Sequence, residues 1–124
     1  MSGAPRTGAC ILVVEDHAGI RAMAVRTLRA RGYEVLDAHD GRHALEVAAA
    51  CNSSIDLLVT DMEMPYMGGL DLARELAELR PGLRVLFVSG NRQIELPAQV
   101  HFLQKPYTPA TLAAAVRDVL DAPA

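Results

Sequence analysis

The sequence predicts an α/β fold built on a doubly wound, five-stranded parallel sheet, and three observations predict it. Five short apolar runs recur along the 124 residues, each of strand length and mostly aliphatic or β-branched. Stretches of helical periodicity separate them, the order expected when right-handed crossovers join parallel strands. The runs are also apolar almost without interruption, as strands covered on both faces are.

The first strand is read at CILVV (10–14), after a short polar tail over 1–9. In 18–31, Ile20, Met23, Ala24, Thr27 and Leu28 share one helical face, and Gly32 stands where a helix-ending glycine belongs. YEVLDA (33–38) is the weakest strand, and Asp40 can cap a helix running to about Cys51. DLLVT (56–60) is the third strand, and Leu72, Leu76 and Leu79 stripe a helix that ends at Arg80-Pro81-Gly82. RVLFVS (84–89) and VHFL (100–103) supply the last two strands. Between them GNRQIELPAQ (90–99) has room for one or two helical turns, because Pro97 blocks continuation. The fourth helix is therefore expected to be short or irregular. The last helix opens with Thr108 as N-cap and Pro109 in its first position, and Leu112, Val116, Val119 and Leu120 line its inner face.

Length allows one domain, read as 10–121, with one core. A hydrophobic share of 51% with little aromatic content describes a globular domain rich in Ala, Leu and Val. A net charge of −3 argues against a nucleic-acid surface. No apolar run approaches the ~20 residues of a membrane span. No apolar segment of signal-peptide length opens the chain, so a cytoplasmic protein without membrane partners is expected. Cys10 and Cys51 lack metal-ligand spacing and are read as buried free thiols.

In a sheet of this type, ligands bind outside the carboxyl ends of the strands. Glu15-Asp16 follow the first strand, Asp61 the third, Ser89-Gly90 close the fourth, and Lys105-Pro106 follow the fifth. Three acids, a hydroxyl and an ammonium are thus expected at one edge. Two like unit charges ~4 Å apart cost roughly 4 kcal/mol at an effective dielectric near 20. Either some of the acids are protonated or a cation sits among them, and oxygen-only ligands favour Mg²⁺. Asp61, at the end of the most buried strand, can act as a nucleophile and carry a phosphoryl group. Mg²⁺, Lys105 and the Ser89 hydroxyl could then neutralise its oxygens. Lys105 is the chain's single lysine among eleven arginines. A compact ammonium on a flexible stem suits that task better than a planar guanidinium. Taken singly these signals are weak, since an acidic pair after a strand is often just a helix start. Their joint order at four strand ends is what carries weight.

The motifs ILVVEDH, LLVTDMEMPYMGGLDL, VLFVSG and FLQKPYT make the chain, from about Cys10 to Leu120, resemble the receiver domain of two-component response regulators, a CheY-like, flavodoxin-like (βα)5 family. The resemblance implies that Asp61 is the phosphoacceptor, that Glu15 and Asp16 help bind Mg²⁺, and that the backbone carbonyl of Glu63 completes the protein ligands. It implies that Lys105 contacts the phosphoryl group, that Ser89 is the switch hydroxyl, and that Phe102 is the aromatic that turns on activation. It implies a cis Lys105–Pro106 bond, and a phosphohistidine donor on a sensor histidine kinase or a histidine phosphotransfer protein. The downstream protein target stays unnamed. A single-domain regulator is expected, with a receiver module of a hybrid kinase and a degenerate receiver used only for binding as alternatives.

Three departures stand out. The interval from Ser89 to Lys105 is short, Gly68 replaces an acid common before the glycine, and Glu63 places a carboxylate two residues after the acceptor. That side chain is expected over the site entrance, where it would change the autodephosphorylation rate. Asp61-x-Glu63 also bears a faint likeness to haloacid-dehalogenase-type phosphatases. Those need a second acid, usually Asp, and a cap domain that this chain lacks room for. Beyond its own phosphorylation and dephosphorylation, no enzymatic turnover is expected.

Overall fold

The structure is a computed structural model that describes residues 8–64, 66–90 and 100–122. Its strands are β1 (Cys10–Val14), β2 (Glu34–Ala38), β3 (Leu57–Asp61), β4 (Arg84–Ser89) and β5 (His101–Gln104). The helices among the described residues are α1 (Ala18–Ala30), α2 (Gly41–Ala50), α3 (Gly69–Leu79) and α4 (Pro109–Asp121). The strands form one sheet in the order β2-β1-β3-β4-β5, and every neighbouring pair is parallel. The expected short fourth helix falls in 91–99, outside the described residues.

Period-two alternation divides the core. Ile11, Val13, Val35, Leu57, Val59, Leu86 and Val88 face α1 and α4. Cys10, Leu12, Val14, Ala38, Leu58 and Phe87 face α2 and α3. Each buried aliphatic side chain contributes about 1.5–3 kcal/mol relative to exposure, so these two layers dominate the stability of the fold. β1 and β3 are buried throughout, which is why their sequences read as unbroken apolar runs.

The helix boundaries follow local chemistry. His17 caps α1 through Nδ1, which accepts the Ile20 N–H, and Gly32 takes φ 93° just past the helix. Asp40 caps α2 by accepting the His43 N–H at 2.8 Å. Thr108 and Thr111 cap α4 reciprocally, with Pro109 at its start. Two arginines staple helix ends. The Arg80 guanidinium donates to the carbonyls of Ala48, Cys51 and Ser53 at the end of α2. Arg84 donates to those of Val119, Leu120 and Ala122 at the end of α4. A planar fork satisfies several orphan carbonyls at once, a geometry a lysine cannot reproduce.

Several expectations need correction. α1 buries Ala24, Val25 and Leu28, while Ile20, Met23 and Thr27 are only half-buried. Its apolar arc is wider than the surface the sheet can cover. Leu79 is 68% exposed, because the last residue of α3 has no following turn to shelter it. The third and fifth strands each sit one residue later than read, so Asp61 is inside β3 and not after it. Asp56 instead precedes β3 and accepts the Cys10 N–H through its carboxylate at 2.8 Å. β5 is not buried on both faces: it is an edge strand whose residues are exposed or half-exposed. Cys10 is buried, but Cys51 is half-buried, with its thiol against Ser53.

Candidate functional site

The order β2-β1-β3 places the topological switch point between β1 and β3, and their carboxyl ends open one edge. Glu15 is held there because its N–H reaches the Ala38 carbonyl at 3.1 Å, continuing the β1–β2 ladder. Its own carbonyl accepts from Arg21 at 2.7 Å, and its carboxylate accepts the His17 N–H at 2.9 Å. Glu15 is 4% exposed and Asp61 6%, whereas Asp16 beside them is open to solvent. The three residues each bring a carboxylate oxygen within 4.8 Å of the other two.

Lys105 reaches the edge because its N–H bonds the Ser89 carbonyl at 2.8 Å, pinning the end of β5 to the end of β4. The bond between Lys105 and Pro106 is cis. The ammonium lies 2.7 Å from a Glu15 oxygen and 2.8 Å from Asp61 Oδ2. Asp61 Oδ1 accepts the Glu63 N–H at 3.3 Å. Burial pushes the carboxyl groups of both Glu15 and Asp61 above their ordinary values, and Lys105 pulls both back. Burial also opposes the lysine's charge, but its bonds to Asp61 and Glu15 outweigh that and hold it above the usual lysine range. A single shared cation thus opposes the push of burial on two acids at once.

Ser89 is wholly buried at the end of β4. Its hydroxyl donates to both carboxylate oxygens of Glu63, one of them at 2.8 Å. The Glu63 side chain therefore lies across the Ser89 hydroxyl. Phe102 is in register with Phe87 on the neighbouring strand and is 36% exposed.

Three supporting residues escape a reading of strand ends. Gly69 opens α3 with its N–H on the Met62 carbonyl, and a Cβ there would collide with the carbonyl oxygen of Asp61. Only glycine lets the helix start this close to Asp61, and the Gly-Gly pair was the available signal. Arg21 holds both the Glu15 carbonyl and the Asp37 carboxylate, linking α1 to the site. Tyr107, half-buried beside Lys105, has its hydroxyl pushed up to about 12 by burial and by the charges of Glu15 and Asp61. Gly68, at the N-cap of α3, supplies no side-chain cap.

The donor set fits Mg²⁺: hard carboxylate oxygens, two from buried residues and one from the exposed Asp16. No helix among the described residues is long and apolar enough to cross a membrane.

Residues 11–117 match the family profile of the response regulator receiver domain. The chain is 37% identical over 119 residues to the sensor kinase CckA of Brucella abortus, covering 91% of this chain and 13% of that protein. It is 33% identical to the response regulator receiver protein CpdR of the same organism, over 78% of this chain and 84% of that one. The chain thus spans most of one relative and a small part of the other. Among solved structures, the receiver domain of the hybrid histidine kinase CckA superposes with a TM-score of 0.80 at 41% identity, over 91% of this chain and all of that one. The chemotaxis response regulator CheY4 of Vibrio cholerae gives 0.80 at 30% identity, over 91% and 99%. Parallel sheet, switch-point acids and these likenesses agree: the chain belongs to the response regulator receiver domain family, a signalling module of two-component systems.

Proposed function

We propose that this domain accepts a phosphoryl group on Asp61 from a phosphohistidine and relays it as a change in protein–protein contacts. The observation that carries the reading is the Lys105 ammonium set between Glu15 and Asp61 in the three-carboxylate cluster. Lys105 favours the ionised, nucleophilic form of Asp61 against the opposing effect of burial. An Asp61 oxygen attacks phosphorus. The O–P bond forms as the N–P bond of the donor breaks, and the leaving imidazole nitrogen keeps that electron pair and takes a proton from water. Glu15, Asp16 and Asp61, with the Glu63 backbone carbonyl, would hold Mg²⁺, which supplies positive charge to the phosphoryl oxygens when bound. Lys105 is placed to release Glu15 and follow the new charge on Asp61. Hydrolysis by water returns the carboxylate, so the domain would turn over only its own adduct.

An apolar hollow beside Lys105, lined by Ile20, Met23, Pro106 and Tyr107, supports a protein donor docking here, a histidine kinase or a phosphotransfer protein. Its relatives illustrate both settings: the chain covers 84% of the response regulator receiver protein CpdR and 13% of the sensor kinase CckA. Phe102, 36% exposed on the edge strand, would be the rotamer switch; an identical rotamer with and without beryllofluoride would remove it from that role.

The test is phosphorylation by a small acyl phosphate, read by intact mass. A gain of one phosphoryl that requires Mg²⁺ and is lost in Asp61→Ala is expected. No adduct, together with no Mg²⁺-dependent beryllofluoride binding, would overturn the reading.

A further inference from the structure

Glu63 is joined to the site in two ways. Its backbone N–H supports Asp61 Oδ1, while its carboxylate takes the Ser89 hydroxyl with both oxygens. A hydroxyl has one proton to donate, and here that proton is committed to Glu63. Ser89 is wholly buried while Glu63 is exposed, so the exposed side chain reaches inward to cover the buried one. The Glu63 charge also acts on Asp61, adding to the upward push on its carboxyl.

We infer that Glu63 is a positioning residue: its carboxylate is a resident stand-in for the phosphoryl group, a latch that keeps Ser89 turned away until a phosphoryl on Asp61 displaces it. The inference rests on the phosphoacceptor reading above. A phosphoryl group competes with Glu63 for the same hydroxyl proton and repels its carboxylate. Occupation of Asp61 therefore costs the Ser89–Glu63 bonds, and that cost lowers the affinity of the resting protein for any phosphoryl mimic. Bonds from a neutral donor to a charged acceptor are among the stronger ones, so the effect is expected to be tenfold or more.

Beryllofluoride affinity in saturating Mg²⁺ tests the latch in wild type, Glu63→Ala, Glu63→Gln, Ser89→Ala and the Glu63→Ala/Ser89→Ala double variant. Glu63→Ala should tighten binding about tenfold or more. Glu63→Gln, a weaker uncharged acceptor, should fall between. With Ser89 already replaced, the gain from Glu63→Ala should shrink to threefold or less. Mg²⁺ affinity without beryllofluoride should move less than threefold, because a side-chain latch leaves the metal ligands in place; a merely structural role would move both. Equal gains with and without Ser89 would reduce Glu63 to simple repulsion and overturn the latch, as would unchanged or weaker binding in Glu63→Ala. Wild-type protein that binds no beryllofluoride would instead strike at the phosphoacceptor reading itself.

Discussion

Replacing Lys105 by Met should unfold the domain more easily, by an amount the site geometry bounds. The ammonium lies 2.7 Å and 2.8 Å from carboxylates of Glu15 and Asp61. At an effective dielectric near 20, each contact represents about 6 kcal/mol of attraction before desolvation is subtracted. Removing one partner of a buried pair costs roughly 3–5 kcal/mol, because the other charge is stranded. Here one stranded acid can escape by taking a proton. At pH 7 that costs about 4 kcal/mol for a carboxyl whose ordinary pKa is near 4, which sets a ceiling. The lysine side chain is 20% exposed, so some water already shares its role. The expected loss is about 2–4 kcal/mol in EDTA at pH 7, a fall of roughly 1–2 M in the urea midpoint. The acids of the variant hold their protons more tightly folded than unfolded, so its stability rises as pH falls from 7 toward 5. Excess Mg²⁺ should recover part of the loss. A deficit below about 1 kcal/mol at pH 7, or one that does not shrink at pH 5, would refute the shared-cation account.

Adjacent glycines should respond with opposite signs. Gly69→Ala drives a Cβ into the Asp61 carbonyl and should cost about 2 kcal/mol or more in urea melts. Gly68→Ser gives α3 the cap it lacks, where the added Cβ meets only ordinary contact, and should stabilise by about 0.5–1 kcal/mol. Alkaline stability should fall from about pH 9 upward. Burial pushes the Cys10 thiol to about 11 and the Tyr107 hydroxyl to about 12, and Lys105 is also raised. All three bind protons more tightly folded than unfolded, so the stability they contribute is whole below the unfolded values and is lost above them; urea melts from pH 8 to 11 would show it, and a flat profile would contradict it. Arg80→Ala should cost about 1–3 kcal/mol by stranding the carbonyls that end α2, and Arg80→Lys should recover less than half, measured the same way.

Much of this is legible in the sequence. Buried strands announce themselves as apolar runs, and parallel strands joined by helices must all end at one edge. Glu15, Asp16, Asp61, Ser89 and Lys105 could therefore be placed together although they span ninety residues of chain. The caps Asp40 and Thr108 were equally plain, because capping is settled within four residues. Exposure was less so: Leu79 and Phe102 carry core-like side chains, but only the packing shows that a helix end and an edge strand leave them uncovered. Least legible of all was the pairing within the site. From sequence, Ser89 is simply a hydroxyl near Asp61, and Glu63 a carboxylate near the entrance. Which donor takes which acceptor turns on side-chain reach within a few ångströms, after the backbone is already in place. Tertiary structure alone gave Lys105 to Glu15 and Asp61, and Ser89 to Glu63. Hydrophobic pattern dictates which strand ends meet; the hydrogen-bond geometry where they meet depends on distances that no local pattern encodes.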